Sequence, residues 1–467
     1  MTALFAAQPD SIFVQIASYR DSELIPTLLD LINKAKKPDR LRIVVCWQHG
    51  PDETLARFWQ RGFGKWQMKK ADDWAVQHLS YRTAKVELID VPHMMSQGAC
   101  WARNRLQQEY GGERYTLQLD SHHRFVEGWD TLLIDMLESL REESPKPVLT
   151  AYLPGFDPKN DTALHGSPQF MGFFRFGTEG VVMFRGKSFP AEPALDRPVR
   201  SRFYSGHFTF ADGHFAEVVQ HDPDYFFLGE EISITVRAFT HGYDLYHPHR
   251  LLAWHEYTRQ HRVKMWDDHD GEAKEKGEIA EHWGERNDRA YLRNRVLLGI
   301  DGTPPSTLDF GKYGLGTERT LAEYEVYAGI SFACRGVHAA LLNHERPEPP
   351  GTPLPDAATW RASLRRANDV RVCVHQNTFD EHAATPGTPQ TLPGASSAVV
   401  TIYGSDESEL HRETVEAADL PQYRQNGWLD YRVIFFSALE RIPARYIVEL
   451  RDEAGNLLSR VGNAIVV

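Results

Sequence analysis

Tyr115-Thr116-Leu117-Gln118-Leu119-Asp120-Ser121-His122-His123-Arg124-Phe125-Val126-Glu127-Gly128-Trp129 is the stretch on which the reading of the fold turns. Tyr115, Leu117 and Leu119 alternate with Thr116 and Gln118 at the period of a strand, and the alternation stops at Asp120-Ser121-His122. A carboxylate and an imidazole two residues apart, just past a strand end, can project from one sheet edge into one site. A hard oxygen and a borderline nitrogen ligand suit Mn²⁺, with Mg²⁺ the alternative, and such an ion also accepts diphosphate oxygens, which points to a nucleotide-sugar site. An isolated D-x-H also fits a turn capped by Asp120 with an ordinary surface histidine, so the rest of the chain must decide.

Working outward, short apolar segments alternate with helical ones. Ser11–Ala17 and Leu41–Trp47 read as strands, with Leu24, Leu28, Leu31 and Ile32 at helical spacing between them. Trp47 to Arg82 fits neither period and reads as an insertion or helical excursion. Lys85–Val91 is a third strand and Ala99–Tyr110 a helix, so Tyr115–Leu119 is the fourth strand of a mainly parallel sheet covered on both faces. Ligands of such sheets collect beyond the strand C-termini, where Tyr19-Arg20-Asp21, His93 and Asp120 would cluster. Arg103, on the first turns of the helix after Gly98, could reach a diphosphate or lock a carboxylate. A surface ion pair explains it equally well.

Val148–Leu153, Gly180–Phe184 and Gly206–Phe210 resemble short strands, and Pro154–Gln169 a loop. Gly206, with His207 beside it, would let backbone approach a bound sugar, although a bulge would explain the glycine too. Gly229-Glu230-Glu231 opens a helix that Gly242 ends; the two acids complement the helix dipole, or one of them works on a substrate hydroxyl. An ion held by Asp120 and His122 alone would be loosely bound, and His255, ending the apolar run Leu251–Trp254, is the choice for a third ligand among 21 histidines.

At 467 residues the chain exceeds the usual single-domain size. Its net charge of −12 argues against a sequence-independent nucleic-acid binder. No apolar run reaches the roughly 20 residues that cross a bilayer, and the start lacks the features of a signal peptide, so a cytoplasmic location is expected. The four cysteines lie far apart and read as buried thiols rather than disulfides. Leu321–Leu342 reads as one helix, followed by the polar, proline-rich Glu345–Pro353. Asp369–His375, Ala398–Tyr403, Tyr431–Phe436, Tyr446–Leu450 and Leu457–Val467 then suggest a small β-sandwich. The expected organisation is a catalytic domain over 1–345, a linker over 346–360 and a β-sandwich over 361–467.

D-S-H at 120–122, G-E-E at 229–231, W-H at 254–255, the opening I-A-S-Y-R-D-S-E-L and the segment from Tyr313-Gly314-Leu315-Gly316 to Tyr324 resemble the glycosyltransferase family that includes the Skp1-protein hydroxyproline N-acetylglucosaminyltransferase. The order of motifs is also similar to that of the polypeptide N-acetylgalactosaminyltransferases. The resemblance covers roughly residues 11–335. It implies a GT-A (Rossmann-like) fold, a UDP-sugar donor with UDP-GlcNAc first, a Mn²⁺-type metal at Asp120, His122 and His255, and retention at the anomeric carbon. It further implies Arg103 near the diphosphate and Arg20 and Asp21 bordering the nucleotide. Glu230 or Glu231 would orient donor or acceptor hydroxyls, the departing phosphate oxygen taking the acceptor proton in a same-face attack. The acceptor is a hydroxyl on a protein or glycan of unassigned identity, and the chain is compatible with oligomers. Two other classes stay open: a metal-dependent hydrolase or phosphoryl-transfer enzyme on the same ligands, and a non-catalytic sugar-binding protein.

Overall fold

Runs rich in Ile, Val and Leu, apolar on both faces, build the centre of the molecule. In chain order these are β1 (Ile12–Tyr19), α1 (Leu24–Lys34), β2 (Leu41–His49), α2 (Ala56–Trp59), β3 (Gly64–Lys70), β4 (Ala75–Tyr81), β5 (Ala84–Pro92), α3 (Ala99–Gln107), β6 (Tyr115–Asp120), β7 (His123–Phe125) and α4 (Trp129–Glu138). The computed structural model describes residues 10–70, 74–161, 164–177, 179–190, 194–258, 262–304 and 308–465. There follow β8 (Pro147–Thr150), β9 (Gln169–Phe176), β10 (Val182–Ser188), β11 (Val199–Arg200), β12 (Phe208–Asp212), α5 (Phe215–Val218), α6 (Glu230–Thr240), β13 (Asp244–His247), β14 (Ala253–His255), α7 (Met265–Asp268), α8 (Gly271–Glu275), α9 (Trp283–Leu298) and α10 (Leu321–Ala328).

The main sheet has ten strands in the order β11-β13-β8-β12-β6-β1-β2-β5-β4-β3. Its centre, β6-β1-β2-β5, is parallel, with Ala17 opposite both Asp120 and Cys46. The expected α/β class is therefore present, but the sheet is mixed rather than mainly parallel. β12 runs antiparallel between β6 and β8, and β3 and β4 extend the other edge antiparallel to β5. The stretch from Trp47 to Arg82 is thus no helical excursion: apart from the short α2 it contributes β3 and β4, which pair antiparallel with each other, β4 pairing with β5 as well. In β6, Thr116 and Gln118 face protein rather than water. Gln15 Nε2 donates to Thr116 Oγ1 (2.7 Å) and Gln118 Nε2 donates to the Gly206 carbonyl (2.7 Å), which satisfies polar atoms on a strand buried on both faces.

The C-terminal region comprises β15 (Ile330–Ser331), β16 (Gly336–His338), β17 (Leu364–His375), β18 (Ser397–Gly404), β19 (Glu409–Val415), β20 (Arg424–Gln425), β21 (Trp428–Ala438), β22 (Pro443–Arg451) and β23 (Leu457–Ala464). They form two antiparallel sheets, β15-β16-β17-β21-β20 and β19-β18-β22-β23, packed over Val372, Val400, Ile402, Val433, Val448 and Leu450. Residues 466–467 of the last expected strand lie outside the described residues. The single helix expected over Leu321–Leu342 is instead broken at Gly329, which takes φ +72, a value favouring glycine, and caps α10 through its N–H. The chain beyond it enters β15 and β16, and a short helix, Ala339–Leu342, follows.

That break has consequences for domain organisation. β16 precedes the proline-rich segment yet pairs with β17 after it, Val337 opposite Arg365. Ala367 and Phe436 pack on the core shared by α6, α9 and α10, and Arg175 pairs with Asp369. A helix, Ala357–Ala362, lies within the segment read as linker.

Candidate functional site

The four parallel strands end on one side of the sheet, and the ends of β1, β2 and β6 floor a cleft lined in part by Ala17, Tyr19, Asp21, Gln48, Asp120, Ser121 and His122. Gly98 and Ala99 bring the α3 N-terminus to its wall, and Phe226, Arg262, Lys264 and Trp266 also line it. A Cβ at Gly98, where φ is +118, would stand 2.9 Å from the Phe226 ring and 3.0 Å from its carbonyl, so this entry to α3 requires glycine. β7 pairs with β14, His123 opposite His255, and this ladder carries His255 to the end of β6 across more than a hundred intervening residues.

Asp120, His122 and His255 converge. Their nearest ligand atoms all lie within 4.8 Å of one another; Asp120 Oδ2 is 3.5 Å from His255 Nε2 and 3.7 Å from His122 Nε2. Both ring nitrogens of His255 are buried without a hydrogen-bond partner among the described residues. A buried imidazole orphaned beside a carboxylate is what a coordinated cation would satisfy, so these residues fit a divalent metal. Burial first, with the His122 and His123 imidazoles adding to it, outweighs the Asp120 carboxylate and leaves His255 well below the ordinary histidine range, and the ring is neutral as coordination requires. Asp120 is the reverse case. Burial opposes its charge, but Arg103 and the histidines hold its carboxyl well below the usual range.

Asp21 fixes His122. Its Oδ2 lies 2.7 Å from His122 Nδ1, and it also accepts from Ser121 Oγ (2.6 Å) and Arg262 Nη1 (2.9 Å). With Nδ1–H donating to Asp21, Nε2 presents its lone pair toward Asp120, the carboxylate–histidine arrangement that orients metal ligands. Arg262 Nη1 lies against the same ring, in contact with Nδ1 and 2.9 Å from Nε2, so the guanidinium crowds the imidazole that a metal would also use.

In the structure Arg103 bridges two carboxylates. Nη1 donates to Glu230 Oε1 (2.5 Å) and Nη2 to Asp120 Oδ1 (2.7 Å), and the side chain is buried. Arg20 is likewise spent on protein: its Nη1 lies 2.9 Å from both oxygens of Asp268, which also accepts from Tyr19 Oη (2.7 Å). Arg20 adopts φ +44, a strained value for a side chain with a Cβ, and the turn it makes leaves Tyr19 and Asp21 both facing the cleft. The close approach that Gly206 permits is to protein as well, since a Cβ there would sit 3.0 Å from Arg103 Nη1 and from both Glu230 oxygens.

The two acids diverge in environment. Glu230 is buried against Arg103, whereas Glu231 is partly exposed and accepts from the Gly206 N–H (2.9 Å) and Tyr152 Oη (2.7 Å). Burial, then the Glu230 charge beside it, pushes Glu231 up to about 7. His207 follows from topology: β12 is antiparallel to β6, so its start lies at the end of β6. The ring stacks on His255 at 4.2 Å and its Nε2 accepts from the Leu153 N–H (3.3 Å), which makes it a support for His255. Sequence reasoning missed His123, Arg262 and Asp268. His123 Nδ1 lies 3.1 Å from the Asp120 carbonyl and its ring 4.9 Å from His255; the doubled histidine in D-S-H-H was its only local signal.

A cleft beyond the ends of parallel strands, with a glycine-led helix N-terminus in its wall, defines an α/β ligand-binding protein of Rossmann-like class. The chain belongs to the glycosyltransferase (GlcNAc) family, whose model matches residues 11–334. No curated protein matches it. Similar solved structures include GalNAc-T7 with UDP, GalNAc and Mn²⁺ (13% identity, 60% of this chain and 50% of that one, TM-score 0.38). TarS of S. aureus matches at 12% identity over 61% of this chain and 71% of that one (TM-score 0.34). The mannosyltransferase PcManGT of Pyrobaculum calidifontis, in complex with GDP-Man and Mn²⁺, matches at 12% identity over 53% and 60% (TM-score 0.30). The chain spans half the length of the GalNAc-T7 structure.

Proposed function

We propose that this glycosyltransferase is a divalent-metal-dependent, retaining enzyme that moves a sugar, GlcNAc first among candidates, from a UDP-sugar to an acceptor hydroxyl. The observation that carries the reading is the convergence of Asp120, His122 and the orphaned His255 ring at the cleft floor. Bound there, a Mn²⁺-type ion would supply charge neutralisation for the departing diphosphate. The α3 N-terminus at Gly98 and Ala99 borders the same region, where its dipole favours negative charge, and Arg262 and Lys264 add positive charge to the lining. Arg103 acts behind the floor, holding Asp120 ionised and aimed.

Retention by way of a covalent intermediate needs a free carboxylate, and neither acid of the Glu230–Glu231 pair is free: one is held by Arg103, the other by Tyr152 and Gly206. This favours same-face attack, in which the departing phosphate oxygen takes the acceptor proton. Glu231, partly exposed and adjustable by its neighbours, is then the group that orients a reacting hydroxyl.

The test is a panel of UDP-sugars with Mn²⁺, following UDP release and product mass in parallel for wild type and His255→Ala. UDP-GlcNAc turnover that is metal-dependent and about a hundredfold or more lower in the variant, with melting temperature little changed, is expected. Metal-independent turnover, or full activity in His255→Ala, would overturn the assignment.

A further inference from the structure

Behind the cleft floor lies a second group of ligand-type side chains that glycosyl transfer does not use. Cys100 on the first turn of α3, His221 in the loop before α6, and Glu230 at the start of α6 bring their ligand atoms within 4.8 Å of one another. All three are buried, with Cys100 at 0%, His221 at 1% and Glu230 at 5% exposure.

The hydrogen bonds around His221 leave a specific defect. Gln118 Nε2 donates to the Gly206 carbonyl (2.7 Å), so its Oε1 is the atom facing His221 Nε2 at 2.7 Å. An amide oxygen only accepts, hence His221 carries its proton on Nε2 and Nδ1 is a bare lone pair. That lone pair has no hydrogen-bond partner among the described residues, Cys100 included, and a carboxylate oxygen, Glu230 Oε1, lies 3.2 Å from it. Two acceptors buried face to face are costly unless a cation, or a proton on Glu230, which burial favours, lies between them. Protonating the ring is opposed by burial first and by Arg103 and Arg237 next, which keep His221 well below the ordinary histidine range.

We propose that Cys100, His221 Nδ1 and Glu230 form a second metal site, specific for a thiophilic divalent cation of the zinc class and distinct from the site at Asp120, His122 and His255. Two ligands at zinc-type bond lengths of roughly 2.0–2.1 Å, separated as His221 Nδ1 and Glu230 Oε1 are, subtend an angle of about 105°, close to tetrahedral. The sulfur selects a softer ion than the oxygen-and-imidazole set in the cleft does. On binding, the Cys100 thiol gives up its proton to solvent and the thiolate takes its place in the coordination shell. Bound there, the ion would tie α3 to the start of α6 and hold Glu230, through which Arg103 and Asp120 are held in turn. Its role is structural, and it stands or falls independently of turnover.

The experiment expresses the full chain in minimal medium with Co²⁺ replacing Zn²⁺, so that the ion is present during folding. Metal content and near-ultraviolet absorption are then measured for wild type, Cys100→Ser, His221→Gln and Asp120→Ala. Wild type is expected to keep about one equivalent of cobalt through dialysis and to show thiolate-to-cobalt charge-transfer absorption. That absorption should vanish in Cys100→Ser and persist in Asp120→Ala, while His221→Gln lowers the retained equivalent. A wild-type protein with no such absorption overturns the proposal whether or not the variants fold, and means that a proton on Glu230 fills the gap instead. Absorption that survives Cys100→Ser also overturns it, because the thiolate would then be Cys46, Cys334 or Cys373.

Discussion

Asp21→Asn discriminates between the two tasks open to Asp21, bordering a nucleotide or orienting a metal ligand. In the structure one oxygen, Oδ2, gathers Ser121 Oγ, His122 Nδ1 and Arg262 Nη1 at 2.6, 2.7 and 2.9 Å. Burial opposes the charge, but His122 and Arg262 keep the carboxyl well below its ordinary range, so it is ionised throughout the neutral region. An asparagine of the same shape removes that charge and turns one oxygen into a donor, which frees His122 to rotate or change tautomer. Losing such an outer partner costs about 10–100-fold in metal affinity, equivalent to roughly 1.4–2.7 kcal/mol. The assay titrates Mn²⁺ against UDP release and, at saturating Mn²⁺, measures KM for the donor. Half-maximal Mn²⁺ should rise about 10–100-fold with donor KM changed by less than about threefold. An unchanged Mn²⁺ requirement with a raised donor KM would refute the orienting role and restore Asp21 to the nucleotide. Ser121→Ala, which removes one neutral donor, should move the Mn²⁺ requirement far less.

Glu231→Gln should lower turnover by at least about tenfold, roughly 1.4 kcal/mol at the transition state, and abolish an ionisation near pH 7 in the rate profile; a variant with wild-type rate and profile would leave the acid only its place at the helix dipole. Acid stability should depend on His247, which burial pushes down to about 4 while its two nitrogens are taken by the Thr150 carbonyl (2.8 Å) and the Met171 N–H (3.2 Å). The unfolded ring takes up its proton near pH 6.5 and the folded one only near 4, so between these values the unfolded state binds more protons and stability falls as pH falls. Urea unfolding at pH 7, 6 and 5 should show that loss, and His247→Gln should reduce the slope by up to about 1.4 kcal/mol per pH unit; an unaltered slope would exclude His247 as the cause. A chain ending at Arg346 strips β17 from β16 and uncovers Phe332 and Val337, both at 0% exposure, so it should melt well below the full chain or aggregate; an equally stable, soluble product would contradict that interface.

Much of this protein was legible one residue at a time. The strand period of Tyr115–Leu119 and its break at Asp120, the helix carrying Leu24, Leu28, Leu31 and Ile32, and the glycine entering α3 are local signals, written in periods of two and 3.6 and in backbone freedom. His255 stands out only as the end of the apolar run Leu251–Trp254, a weak local signal that the resemblance matches. Other features rest on partners distant in the chain. The insertion of β12 between β6 and β8 and the pairing of β16 with β17 are settled by which strand lies next to which, and sequence period carries no such address. The site divides in the same way. That Asp120 and His122 share an edge follows from their spacing, whereas Arg103 spanning Asp120 and Glu230, Asp21 turning His122, and His221 facing Glu230 follow from side chains meeting across different elements. A guanidinium looks alike in sequence whether it awaits a diphosphate or neutralises two buried carboxylates; only the tertiary structure, by fixing what lies within hydrogen-bond reach and what is shielded from water, assigns it to the second.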